Sequence, residues 1–338
     1  MLPNKKIKAT YLKIIFLTII VLLSIKGIAK WYNHWLQTPL TKDKNSPTII
    51  VDIKPGTSGK EVARKLQEEE LISNFFAFYW YLRQEKIQIQ NGRFVLSPNM
   101  SPLIIIDNIT SGKGLMAITI PEGWTMEKID EKLTEMALIQ PKEFINCAKT
   151  CDFKSYPFLK NASSLEGYLF PDTFFIDPTT FQVKEFIERL LDNFEKKVLT
   201  PDLNTVLQNN NRSLKDLIIM ASIVEREASW DEDRPIVAGI LWKRLDNDWA
   251  LEADATLLYV TGGNILTAKD LQLDSPYNTR KYHGLPPTAI SNPGLAAIKA
   301  ALKPQTTDYW FYLNDAETGK AHYGSTNAEH EANKKTWL

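Results

Sequence analysis

Residues 274–294 read DSPYNTRKYHGLPPTAISNPG. Four prolines and two glycines in these 21 residues exclude a helix or a long strand running through them. The stretch is not linker filler, because Tyr277, Tyr282, His283, Leu285 and Ile290 give it material to pack. A long irregular segment inside a periodic domain is usually functional or disordered. The aromatic residues and the paired Pro286-Pro287 argue for order, so the segment is either the wall of a site or a proline-pinned buttress.

Its partner lies about fifty residues upstream, in RSLKDLIIMASIVEREAS (212–229). Ser213 with Asp216 three residues on makes a capping-box-like start, and Leu214 to Ala228 has no helix breaker. Leu217, Ile218, Ile219, Met220, Ala221, Ile223 and Val224 are apolar almost all round the helix, which therefore reads as buried. Glu225 shares a face with Ile218, Ala221, Ser222, Ala228 and Ser229. A carboxyl on that face holds its proton near neutrality, as a general acid must. The competing reading pairs Glu225 with an arginine such as Arg234 or Arg244. Arg226 and Glu227 read as lying toward the solvated helix end.

Several blocks in order carry a specific resemblance: LEGYLFPDTFF (165–175), IVEREAS (223–229), ILWKRL and LEADATLLY (within 240–259), SPYNTRKYHGLPPTAISNPGLAAIKAAL (275–302), and HYGST with a later EH (322–330). From about residue 48 onward the chain resembles the MltG, or YceG-like, family of endolytic murein transglycosylases. The resemblance implies peptidoglycan glycan strands as substrate and puts the family's catalytic glutamate on Glu225. It departs from the family at Glu252, where glutamine is usual, and at Thr288-Ala289, where Gly-Pro is common.

Composition fits an exported enzyme. Residues 1–30 hold six lysines and no acid, leaving 34 basic against 40 acidic residues in the rest, a net of about −6. No basic run suggests nucleic acid. The four histidines and two cysteines show no metal-ligand spacing, so no cofactor is expected. Lysines 5, 6, 8 and 13 precede the uncharged IIFLTIIVLLSI (14–25). With its flanks the run is long enough for a transmembrane anchor, and the leading lysines then stay in the cytoplasm. A cleaved signal peptide is the alternative at Gly27-Ile28-Ala29, against which Lys26 counts. The expected place is the inner (cytoplasmic) membrane, single-pass, with the catalytic domain in the periplasm or outside the membrane.

The chain then repeats itself. Ile53, Gly56, Ser58, Val62, Leu66, Leu71 and Ile72 recur as Ile120, Gly123, Thr125, Ile129, Leu133, Leu138 and Ile139. Each copy reads as strand, glycine turn, hydroxyl N-cap and amphipathic helix. The first copy, with a strand-like 93–96 and a helix-like 103–110, resembles the family's LysM-like module, which holds glycan, spaces the active site from the membrane or docks a partner. The fold class is α+β: an N-terminal transmembrane helix, a small LysM-like βα module and a mixed α/β catalytic domain. The expected division is a cytoplasmic 1–11, an anchor at 12–31, a tether at 32–47, the module at 48–116 and the YceG-like catalytic domain at 117–338. Cys147 and Cys151, in an oxidising envelope, are either a small-loop disulfide or two free thiols.

Ordinary glycoside hydrolysis needs two carboxylates. A lytic transglycosylase manages with one, since the muramic acid's own C6 hydroxyl closes onto C1 and leaves a 1,6-anhydro end. Glu166, Tyr168, Glu252, Asp254, Tyr277 and Asn278 lie in matching blocks and are candidate substrate contacts, each with a structural alternative. Two other functions stay open: a hydrolytic muramidase using Glu225 with Glu252 or Asp254, and a non-catalytic glycan-binding scaffold. The family also implies peptidoglycan synthases (penicillin-binding proteins) as partners.

Overall fold

The computed structural model describes residues 5–43, 46–111, 114–263 and 265–338. The chain divides into two compact units, one of residues 1–117 with 175–180 and one of residues 118–174 with 181–338.

The first unit begins with α1 (Lys5–Gln37), in which Phe16–Gln37 is long and apolar enough, by length and composition, to cross a membrane. Residues 1–4 of the expected cytoplasmic stretch lie outside the described residues. The start of the expected polar tether is in fact helical and packed. Tyr32 Oη donates to the Ala77 carbonyl at 3.2 Å, Trp35 Nε1 donates to Ser73 Oγ at 2.8 Å, and Leu36 is buried. Residues 44 and 45 of that tether are outside the described residues.

There follow β1 (Ile49–Ile53), α2 (Gly59–Glu68), α3 (Phe75–Gln84), β2 (Gly92–Leu96) and α4 (Pro102–Thr110). The strands pair antiparallel, Ile49 opposite Leu96 and Ile53 opposite Gly92. Alternation turns Val51, Ile53, Phe94 and Leu96 inward, onto Val62 and Leu66 of α2, Phe78 of α3, and Ile105 and Ile109 of α4. Helix α3 was not legible in the sequence, because FFAFYWYLRQ is apolar on every side and has no clean period of 3.6. It is held by its N-cap, Asn74 Oδ1 accepting from Ala77 N at 3.0 Å, and by burial of Phe78 and Leu82.

The second unit takes its first strand from β3 (Met116–Ile120), then α5 (Met126–Glu135), α6 (Glu143–Thr150), β4 (Asp172–Ile176), α7 (Val183–Val198) and α8 (Pro201–Asn209). After these come α9 (Leu214–Glu227), α10 (Arg234–Asp246), α11 (Asp254–Thr261), α12 (Leu295–Leu302), β5 (Phe311–Asn314), β6 (Ala321–Gly324) and α13 (Asn327–Trp337). Strands β3 and β4 form one two-stranded sheet, β5 and β6 another. Helix α9 is the buried centre, packed on α10 and α12.

The sequence repeat has a structural counterpart. Gly56 and Gly123 both sit at positive φ, +82° and +75°. Ser58 closes a full capping box with Glu61, and Thr125 Oγ1 accepts from Lys128 N at 3.3 Å. Val62 and Leu66 in one copy, Ile129 and Leu133 in the other, are buried at matching positions.

Cys147 and Cys151 are joined, spanning the last turn of α6. The closed loop is so short that chain entropy gives the bond only about 2 kcal/mol. Cys147→Ser with Cys151→Ser should therefore lower stability by no more than that, read as the urea midpoint at unchanged slope. A larger loss would mean the bond holds the 151–165 segment in place as well.

Candidate active site

The capping box expected at the start of α9 is present, Ser213 Oγ accepting from Asp216 N at 3.1 Å. Residues 217–224 are all buried, so the helix is pinned and its C-terminal turn is a rigid platform. Two carboxyls leave that turn in different directions, as residues two apart must on a helix.

Glu225 is the first. Its Oε1 takes a hydrogen bond from Arg234 at 2.9 Å and its Oε2 one from the Gly294 amide at 3.0 Å, with the side chain only 6% exposed. Arg234 also holds Asp231 at 2.7 Å. Burial pushes the Glu225 carboxyl above its ordinary pKa; the Gly294 N–H and Arg234 pull it down, and Glu122 and Asp231 push it up. An isolated carboxyl on an apolar face is thus not what the structure contains. The arginine pairing is present, because α10 starts close enough to bring Arg234 across. Glu122, unmarked in the sequence, sits where a Cβ on Gly294 would fall.

Glu227 is the second, and it turns inward rather than toward solvent. Its Oε1 accepts from the Ala255 amide at the start of α11, its Oε2 from Tyr312 Oη on β5, both at 3.1 Å. It lines a cavity of about 720 Å³ together with Arg244, Trp249, Glu252, Asp254, Arg280, Phe311, Tyr312, Asn314 and His330. Burial raises its pKa; the Ala255 N–H opposes this, the Asp254 charge adds to it, and Tyr312 and Arg280 pull back. Asp254 is clasped by Arg280, which donates from Nε at 3.0 Å, and Glu252 lies 3.7 Å from Arg244. Trp249 stacks on Trp310 at 5.0 Å and meets Phe311 edge-on at 5.8 Å. Of the expected contact residues, Glu252 and Asp254 therefore lie in this cavity.

The other four are elsewhere. Asn278 is completely buried and fastens its own loop, donating from Nδ2 to the carbonyls of Leu271 (3.1 Å) and Leu273 (2.9 Å). Tyr168 is buried against Phe194 at 5.2 Å. Tyr277 is half-buried, its hydroxyl 2.7 Å from Thr288 Oγ1 and its ring 5.4 Å from Tyr259. Asn278 and Tyr168 are thus packed inside the fold, the amide holding its own loop and the ring lying against Phe158 and Phe194.

Glu166, 1% exposed, is a structural hub. It accepts from the Met126 amide at the start of α5 (3.1 Å), from Asn292 Nδ2 (2.8 Å) and from Tyr259 Oη (3.3 Å). Asn292 in turn accepts from Gly167 N (2.8 Å) and Leu169 N (3.0 Å), and its backbone exchanges hydrogen bonds with the 123–124 turn. Gly167 is required there: its φ is +93°, and a Cβ would fall 2.5 Å from the Ala289 methyl and 2.6 Å from Ile218 Cγ2. Glu166→Ala leaves two buried donors unmade, at about 1–3 kcal/mol each, so a loss of about 3 kcal/mol or more is expected. Burial pushes the Glu166 pKa from 4.5 up to about 8. A folded pKa raised above the unfolded one means stability falls as pH rises across that window. Glu166→Gln should flatten that part of the stability–pH curve in calorimetry; an unchanged slope would count against the assignment.

Taken together, the second unit is a helical α+β body in which a proline-rich loop braces a buried helix, and a carboxyl at that helix's end opens on a polar, aromatic-lined cavity. The profile of the YceG-like family matches residues 51–336, and the chain belongs to that family. A Bacillus subtilis protein named endolytic murein transglycosylase is 32% identical over 337 residues, covering 93% of this chain and 91% of its own. A Streptococcus pneumoniae protein of the same name is 29% identical; the match covers 94% of this chain but only 63% of that longer relative. The crystal structure of a YceG-like protein from Listeria monocytogenes superposes with a TM-score of 0.59 at 30% identity, covering 85% of this chain and 99% of that one.

Proposed function

We propose that this protein is a lytic transglycosylase of peptidoglycan glycan strands in which Glu227 is the general acid. The observation that carries the reading is the Glu227 carboxyl, facing a cavity of about 720 Å³ with its pKa raised by burial. The names of the relatives support the substrate class. The bond is that between N-acetylmuramic acid and N-acetylglucosamine, cut to leave a 1,6-anhydro end.

In the first half-reaction Glu227 gives its proton to the leaving glycosidic oxygen as the bond to C1 breaks. In the second, its carboxylate takes the C6 hydroxyl proton as that oxygen closes onto C1. No water is consumed and the acid is regenerated. The Ala255 N–H and Tyr312 hydroxyl hold the carboxylate formed between the steps. Trp249, Phe311 and Tyr312 provide faces for sugar rings. His330 Nδ1 and Asn314 Oδ1, in residues lining the cavity, are buried without a hydrogen-bond partner among the described residues.

Asp254 and Glu252 line the same cavity, which keeps a two-carboxylate hydrolysis as the second reading. Mass spectrometry of products from uncrosslinked glycan strands decides between them. Anhydro ends, one water lighter, support the proposal; reducing ends would replace it with hydrolysis, and no cleavage would leave a binding scaffold. The βααβ arrangement of the first unit suits a LysM-like module. Anchoring by α1 would keep the chain in the inner membrane, among the synthases that build its substrate.

A further inference from the structure

Four lysine and arginine side chains line the Glu227 cavity, and three of them have an acid within reach. Arg244 lies 3.7 Å from Glu252 and also donates to the Leu251 and Trp310 carbonyls at 2.7 and 2.9 Å. Arg280 clasps Asp254, and Lys334 holds Glu331 at 2.8 Å. Arg226 is the fourth. Its guanidinium makes no ion pair and no hydrogen bond among the described residues, although the residue is half-buried and has a glutamate on each side in the chain.

The two neighbouring glutamates are engaged elsewhere. Glu225 is turned to Arg234 and the Gly294 amide, and Glu227 to the Ala255 amide and Tyr312. The Arg226 stem lies over the turn at 123, where a Cβ on Gly123 would fall 3.7 Å from Arg226 Cδ, an ordinary contact distance. A stem packed in this way leaves the charged head to meet a ligand and has less freedom to lose on binding. Glu252 and Asp254 are each matched by an arginine, so an added carboxylate would meet one unmatched cation.

We infer that Arg226 is a carboxylate-recognition subsite of the Glu227 cavity, its guanidinium taking a carboxylate carried by the glycan strand through two parallel N–H···O bonds. The planar fork of arginine donors fits that group. Peptidoglycan offers it from two sources: the lactyl group of muramic acid, where no peptide is attached, and the peptide stem. A chain of N-acetylglucosamine alone carries neither, so this contact selects peptidoglycan over other N-acetylated glycans. The inference rests on the proposed transglycosylase reading.

The test uses the full chain and four substrates. These are strands bearing peptide stems, strands stripped by an amidase, and both after carbodiimide coupling to methylamine has turned carboxylates into amides. Arg226→Gln removes no contact within the fold, so its thermal midpoint should stay within a few degrees of wild type. It should raise KM about 10–100-fold on the strands whose carboxylate is bound, with kcat little changed. On the amidated form of those strands, variant and wild type should coincide. Arg226→Lys keeps the charge without the fork and should fall between them. An effect confined to stripped strands assigns the lactyl carboxylate, and one confined to stem-bearing strands assigns the peptide. Equal losses on charged and amidated strands, or no loss on any, would overturn the inference. Anisotropy of fluorescently labelled strands, measured in parallel, separates the subsite from the reaction. An Arg226-dependent preference for carboxylates without anhydro ends would remove the transglycosylase reading and leave the subsite standing.

Discussion

Glu227→Gln is expected to reduce anhydro-end formation by about 10²–10⁴-fold or more, since one group acts as acid and then as base. The amide keeps the size of the side chain: its oxygen can still accept from the Ala255 amide, and its NH2 can donate to the Tyr312 hydroxyl oxygen. The fold should therefore survive, and the amide carries no charge for Asp254 to repel. In the wild type the active form is protonated. Rate should fall as pH rises through the Glu227 pKa, which burial puts above the ordinary carboxylate range. Glu225→Gln is the informative control: its side chain faces Arg234 and Gly294, so turnover per folded molecule should stay close to wild type with the same pH limb. If Glu225→Gln abolishes turnover and Glu227→Gln does not, the acid has been assigned to the wrong carboxyl.

The second large effect concerns stability. Arg234→Met should cost about 3–5 kcal/mol, the usual penalty for leaving one charge of a buried pair without its partner. The Gly294 N–H alone would then hold Glu225. Burial already outweighs the pair's attraction, as the raised Glu225 pKa indicates. The double variant Glu225→Gln with Arg234→Met should for that reason recover most of the loss, since Asp231 is 78% exposed and simply returns to water. Chemical unfolding of the four forms gives the coupling energy directly. Additive losses would mean Arg234 acts through packing and through its 3.5 Å bond to the Ala228 carbonyl.

What the sequence made legible was local. The Ser213 capping box, the buried run 217–224, the two glycine-turn units and the irregular 274–294 loop follow from propensities and periods that need no tertiary partner. What it hid was which way polar side chains point. Glu225 and Glu227 differ only by position on one turn, and the choice between them depends on α10 bringing Arg234 to one side and on α11 and β5 framing a cavity on the other. Glu166 and Asn278 look like site residues in the sequence because they are polar in an aromatic context. Their hydrogen bonds to backbone, across the fold for Glu166 and nearby for Asn278, account for the same residues without any ligand. Glu252 was expected to bear on Glu225, yet it pairs with Arg244 in the Glu227 cavity.

The wall of that cavity has a consequence for when the enzyme becomes dangerous. Glu227 belongs to α9, but Tyr312, which holds it, is 85 residues later, and His330 follows on α13. Closing so long a loop is slow relative to forming a helix. Until that contact forms, the proposed acid has no cleft to work in. On the proposed assignment, activity arrives last, once β5 and α13 have docked to complete the cavity.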